Sequence, residues 1–329
     1  MGSPDFRNGS FRSMGTTATL ALAPGSSDPI DPVTARIHKA FYELEHEMSA
    51  YRRDNAIWEL SANAGAAEVT VAPNTYRVLE RGQAVAYLSE GAFDATAAPL
   101  VRLWGFSGGL IPKVIPSPEA IRECMTLVDY HRLILRDGKA FLARKGMAVD
   151  LGGIGKGYAI DCAYDCCRGL GIRDFLFNFS GNIRVSGRPA RRKQWQIGLR
   201  DPFDRSAIIG KIALPSGMAL ATSGGYENFV EIGGQRFSHL IDPRTGYPVS
   251  ETASATVLAP DAISADGLST AFFVVGVDGA PHLLGKVLST EVLIVPSRHP
   301  LELWMTPGMR KLFTPIHNLE CAVRTLSFQ

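Results

Sequence analysis

Apolar residues recur at three- and four-residue steps in some stretches and alternate in others, and the two periods divide the chain. Between Val33 and Met48, the residues Ile37, Phe41, Leu44 and Met48 fall on one face, which predicts an amphipathic helix. Asn74–Ser89 predicts a second, and Pro99–Trp104 a short third ending at Gly105. Ser117-Pro118-Glu119 opens a fourth, with a capping hydroxyl and a proline in the first turn. A further helix follows Gly157 and runs to Leu170. Leu133–Leu135 and Ala140–Ala143 flank Asp137-Gly138, a hairpin signature.

From Phe175 onward short apolar runs dominate, and strands are predicted at 175–179, 182–186, 194–199, 207–213, 218–221, 228–232, 235–240 and 252–258. Gly233-Gly234 marks a tight hairpin, and residues 16–22 predict one early strand. Helices return at Ala265–Phe273 and Ala280–Leu288, followed by a strand pair at 291–295 and 301–305. Ser26–Pro32 reads as a turn and residues 107–118 as a loop. Strands and helices are grouped rather than alternating. The expected fold class is therefore α+β, with mixed, mainly antiparallel sheets and packed helices, and not a doubly wound nucleotide fold.

Composition narrows the function classes. At 329 residues with 46% hydrophobic and 20% charged, the chain can bury a large core. A net charge of +2 gives no basic stripe for nucleic acid, and the basic run Arg188–Lys193 reads as a solvated loop. The five cysteines are irregularly spaced; Cys162, Cys166 and Cys167 lie at helical spacing and are expected in the core, with metal ligation as the alternative. No run of eighteen apolar residues predicts a membrane span. Residues 1–13 are expected to be an expression tag or disordered leader, and 14–329 a single domain. The expected compartment is cytoplasmic for the chain as it stands, and periplasmic or membrane-anchored if an export signal once preceded it.

Two segments carry the chemistry. Residues 239–246, HLIDPRTG, crowd an imidazole, a carboxylate, a guanidinium and a turn into one short stretch. His239 could relay a proton, and Arg244 could pair with Asp242 or with phosphate. Asp266 and Thr270 lie four apart and share a helical face, offering oxygen ligands to a hard cation such as Mg2+ or Mn2+. The Gly-rich run Asp150–Gly157 fails both the Walker and the dinucleotide patterns, yet a Gly-rich turn leading into a helix suits phosphate. Trp104 is expected in the core, and Thr222–Tyr226 is a weaker substrate-contact candidate.

These segments resemble the ApbE family of FAD:protein FMN transferases. The match runs through Met14-Gly15-Thr16, Ala92–Thr96 with Pro99–Phe106, Asp150–Gly157, Ala221–Gly224, HLIDPRTG and the run from Ser264 to Gly276, in the family's order. Small departures occur: Ala95 stands in place of a common Pro, Gly155 of Ala, and Ala50 of Thr. The resemblance implies a T-fold-like single domain. It implies FAD contact by Met14, Tyr51, Ala92, Phe93, Asp94, Lys156 and His239, and a metal held by Gly153, Asp266 and Thr270. It further implies that His239, Asp266 and Lys156 are catalytic, in Mg2+-dependent transfer of FMN from FAD to a Thr or Ser hydroxyl of an acceptor flavoprotein. An FAD pyrophosphatase and a non-catalytic FAD-binding protein are the alternatives.

Overall fold

The computed structural model describes residues 6–24, 28–107, 114–189, 193–225, 229–232 and 234–327. Parts of the Ser26–Pro32 turn, the 107–118 loop and the Arg188–Lys193 run lie outside the described residues, as do Tyr226 and Gly233. In chain order the elements begin with β1 (Arg7–Ser13), β2 (Thr16–Leu22), α1 (Ile30–Met48), α2 (Ala56–Ala62), β3 (Val69–Thr70) and α3 (Pro73–Leu88). Then come α4 (Ala98–Leu103), α5 (Pro118–Met125), β4 (Leu133–Arg136), β5 (Lys139–Leu142), α6 (Gly155–Gly169), β6 (Phe175–Phe179) and β7 (Asn182–Ser186). They continue with β8 (Trp195–Arg200), β9 (Ile208–Leu214), β10 (Ala219–Gly224), β11 (Phe229–Ile232), β12 (Gln235–Ser238) and β13 (Thr252–Ala259). The last are α7 (Ala262–Leu284), β14 (Glu291–Pro296), β15 (Glu302–Met305), α8 (Pro307–Leu312), β16 (Phe313–Pro315) and β17 (Ala322–Thr325).

A nine-stranded sheet organises the molecule, in the order β1-β2-β6-β7-β10-β13-β14-β15-β17. Its described pairs are antiparallel except β15 with β17. One face carries α1, α3, α6 and α7 over a core that includes Phe41, Phe177, Phe179, Phe272 and Phe273. The other face is covered by β8 and β9, with Trp195, Ile197 and Leu214 against Leu220, Leu258 and Leu293. With both faces covered at its centre, the sheet needs a strand apolar on both sides, and every residue of β13 is buried. A third, smaller core joins Leu100 and Trp104 of the α4 region to Ile121 and Ile241. Trp104 is fully buried, and its indole N–H donates to Gly246 O at 2.9 Å, fixing the 239–248 loop against α4.

One expectation is corrected. Residues 7–13 are not a disordered leader: β1 pairs with β2 from Arg7↔Leu22 to Ser13↔Thr16. The pairing is main-chain hydrogen bonding, which the polar sequence RNGSFRS does not advertise. The two helices expected at 265–273 and 280–288 correspond to the two helical stretches of α7, which meet at a break where Gly276 leaves helical geometry (φ 61°, ψ −164°). At 23 residues α7 is long and apolar enough to cross a membrane, yet it packs against β10, β13, α3 and α6 as the core helix.

Candidate active site

The site is built where α6 crosses α7. A Cβ on Gly157 would lie 2.2 Å from Ala262 O, so only glycine admits so close a crossing. Asp161, one turn along α6, accepts hydrogen bonds from Ala262 N (2.8 Å) and Ile263 N (2.9 Å) and pairs with Arg184 at 2.6 Å. Burial pushes its carboxyl up to about 6, although Arg184 opposes the shift. These contacts fix where α7 starts.

Asp266 then falls beside the start of α6. Gly157 N donates to its Oδ2 at 2.8 Å, and Asn182 Nδ2 from β7 donates to its Oδ1 at 2.7 Å. Asp266 is 4% exposed, and desolvation raises its carboxyl above the usual range against the opposing charge of Lys156 and the two donors. A buried carboxylate facing one lysine and two neutral donors is costly, and a bound cation would offset that cost.

Thr270 lies one turn further on. Its Oγ1 stands 3.5 Å from Gly153 O, 3.4 Å from Asp266 O and 3.4 Å from Ser223 Oγ. Ser223 Oγ is also 2.8 Å from Ser269 Oγ, which donates to Asp266 O at 2.9 Å. The structure thus brings Gly153, Asp266 and Thr270 together with Lys156, and adds Ser223, Ser269 and Asn182. Apart from the nitrogens of Lys156, Gly157 and Asn182, the converging atoms are hard oxygen donors, and such a set fits Mg2+ or Mn2+ rather than a soft metal. Among the described residues no three His, Cys, Asp or Glu side chains converge, so water and substrate oxygens would complete any shell.

The loop before α4 closes one wall. The Phe93 ring packs where a Cβ on Gly153 would meet it at 3.1 Å, so Phe93 is buried against the glycine-rich turn, and Ala92 beside it is buried too. The Asp94 carboxylate is committed to its own loop. It accepts from Thr96 N (2.7 Å), Thr96 Oγ1 (2.8 Å) and Tyr130 N (3.0 Å). Burial raises it to about 6 in spite of these donors. The folded state therefore holds a proton that the unfolded chain releases near pH 4. Asp94's contribution to stability is greatest below that pH, falls as the pH rises, and is lost above about 6, an effect of about 3 kcal/mol at most. Urea unfolding between pH 4 and 7 should show this slope in the parent and not in Asp94→Asn, so that the difference between the two profiles isolates it.

The HLIDPRTG loop lies beside that wall. Asp242 grips Arg244 through two bonds of 2.9 and 2.8 Å, so the structure pairs this guanidinium with the carboxylate. A Cβ on Gly91 would lie 3.8 Å from Arg244 Cγ, which brings this loop close to the Phe93 loop. His239 is half-buried, its ring 6.5 Å from that of Phe106. Met14 sits in the turn between β1 and β2, and Tyr51 just past α1, 61% exposed, with its hydroxyl raised by burial and by the charge of Asp150. Asp150 itself accepts from Gly152 N at 2.8 Å and is raised by burial. It is a charged neighbour of Tyr51 that the sequence reading passed over. Cys167 is buried and Cys162 and Cys166 half-buried, all as free thiols; burial lifts Cys162 to about 11 and Cys167 to about 12.

Comparison with known proteins converges on one family. The ApbE family model matches residues 14–294. The chain is 33% identical over 292 residues to the FAD:protein FMN transferase of Haemophilus influenzae, covering 84% of this chain and 83% of that protein. It is 31% identical over 266 residues to the FAD:protein FMN transferase of Vibrio cholerae, covering 80% and 79%. The solved flavin transferase ApbE from Vibrio cholerae superposes with a TM-score of 0.84 at 27% identity, over 94% of this chain and all of that one. The ApbE protein of Thermotoga maritima gives 0.83 at 28%, over 94% and 99%. The α+β domain and its site define a flavin-transferase architecture. The chain belongs to the ApbE family.

Proposed function

We propose that the chain is an FAD:protein FMN transferase, dependent on Mg2+ or Mn2+, that moves FMN from FAD onto a Thr or Ser hydroxyl of an acceptor flavoprotein and releases AMP. The observation that carries this reading is the meeting of Gly153 O, Asp266 O and Thr270 Oγ1, with the Asp266 carboxylate at the start of α6 beside Lys156, in a chain of this family. The bound cation would polarise the phosphoryl oxygens and neutralise charge developing on them.

The acceptor hydroxyl attacks the FMN-side phosphorus. The bond to the bridging oxygen breaks, and that oxygen leaves on AMP. Lys156 and the start of α6 face the pyrophosphate with positive charge. His239 takes the hydroxyl proton. Phe93 and the buried run Ala92–Asp94 form a fixed wall against which the nucleotide is oriented, with Met14 and Tyr51 as further contacts.

Incubation with FAD and Mg2+, with and without a flavoprotein bearing an acceptor threonine, tests this. AMP together with an FMN-sized mass gain on the acceptor is the expected result, and EDTA should abolish both. AMP with free FMN in every case would assign a pyrophosphatase instead. FAD bound without AMP release under either metal would leave a binding protein.

A further inference from the structure

We infer that Glu45 is a positioning residue for FAD binding: through one carboxylate oxygen it holds the Met14 turn against the end of α1. This inference rests on the flavin-transferase reading above. Ser13↔Thr16 closes a two-residue hairpin whose central residues are Met14 (φ 47°) and Gly15 (φ 75°). A turn with positive φ at both positions favours Asn, Asp or Gly, and an ordinary side chain there costs about 1–2 kcal/mol. Methionine sits in that conformation because something holds it.

The holder is Glu45. Its Oε2 accepts from Ser13 Oγ at 2.8 Å and from Met14 N at 2.8 Å, and Ser13 is 7% exposed. A carboxylate accepting two such donors is roughly twice as strong an anchor as a neutral acceptor. The hairpin is tethered to α1 at a second point. A Cβ on Gly9 would lie 2.0 Å from Thr34 Oγ1, so β1 touches the helix there. From Gly9 to Met14 an extended chain covers about 17 Å. From Thr34 to Glu45 a helix covers about 16 Å. The two elements therefore run side by side, and the turn meets the helix at its last turn.

The same helix end carries Tyr51. Ser49 N donates to Glu45 O at 3.1 Å, closing α1, and Tyr51 N donates to Ser49 Oγ at 3.3 Å. Asn55 Nδ2 donates to His46 O (2.9 Å) and Ser49 O (2.8 Å), fixing the chain that follows. The Glu45 carboxylate thus holds the Met14 turn beside the helix end that leads to Tyr51, and these two residues, distant in sequence, face the nucleotide in the proposed reading.

The test measures FAD affinity of the full chain by quenching of flavin fluorescence in EDTA, where no turnover occurs. Glu45→Ala should weaken binding about tenfold, whereas Glu45→Gln, whose amide oxygen can accept both hydrogen bonds, should stay within about threefold. Glu45→Asp keeps the charge but shortens the reach, and should weaken binding about fivefold in a protein that still folds. In a double-mutant cycle the effect of Glu45→Ala should largely vanish when Met14 is already alanine. Wild-type affinity in Glu45→Ala and Glu45→Asp, with only a lower melting temperature, would make Glu45 merely structural and overturn the inference. Additive effects in the cycle would do the same. Failure of the wild-type chain to bind FAD would instead remove the functional reading on which the inference rests.

Discussion

Asp266→Ala should lower the rate of AMP release about a thousandfold while the fold survives, a loss of about 4 kcal/mol of transition-state stabilisation. The carboxylate stands at the start of α6 on the residue whose main-chain oxygen meets Thr270 Oγ1, and it lies nearly wholly out of water. Removing it takes away the charged member of the ligand set. It also leaves Gly157 N–H and the Asn182 amide without their acceptor, at about 1–3 kcal/mol each. That cost is offset by no longer burying a charge against its desolvation. Circular dichroism and urea unfolding should report a folded protein, and added Mg2+ or Mn2+ should not restore turnover. Asp266→Asn keeps the shape but places an amide donor against Gly157 N–H or the Asn182 amide, and should be similarly inactive. Turnover within tenfold of the parent in either variant would show that the carboxylate is not the residue that holds the cation.

How far this site could be read from the sequence depends on distance along the chain. The face of α1 was legible because Ile37, Phe41 and Leu44 repeat at helical spacing, and burial follows that repeat. Strands β6 and β7 fall on the predicted residues because both alternate between a covered and a less covered side or lie wholly under packing. Asp266 and Thr270 were legible because four residues on a helix are local geometry. Asn182 was not, since 84 residues separate it from Asp266, and nothing local marks a strand amide as a carboxylate's partner. Ser269 is similar, and Ser223, although within the candidate stretch Thr222–Tyr226, shows its partner only once the pairing of β10 with β13 and the packing of α7 bring the two hydroxyls within 2.8 Å. Helix α2 carries only Ile57 and Leu60 as buried residues, too few for a period, and its one signal was Asn55 capping Trp58 N. Strand β1 had no apolar alternation at all, because at the sheet's edge its backbone, rather than its side chains, secures it.

Gly157→Ala should destabilise the fold by about 3 kcal/mol and cut turnover of the folded fraction about a hundredfold. The added Cβ would lie 2.2 Å from Ala262 O and 2.7 Å from Ile263 Cα. Both are backbone atoms, so no side chain can swing aside. Helix α7 cannot slide away freely either, because Asp161 holds Ala262 N and Ile263 N and is itself tied to Arg184. The strain therefore opens the crossing itself, lengthening the Gly157 N to Asp266 Oδ2 bond and parting Thr270 from Gly153. Gly155→Ala is the control. A Cβ there has its nearest neighbour at 3.9 Å, at the first position of α6, where alanine favours the helix by about 0.5–1 kcal/mol over glycine. Urea unfolding should thus move in opposite directions for two glycines a single residue apart, and equal stability in the two variants would mean that α6 and α7 do not cross as closely as this.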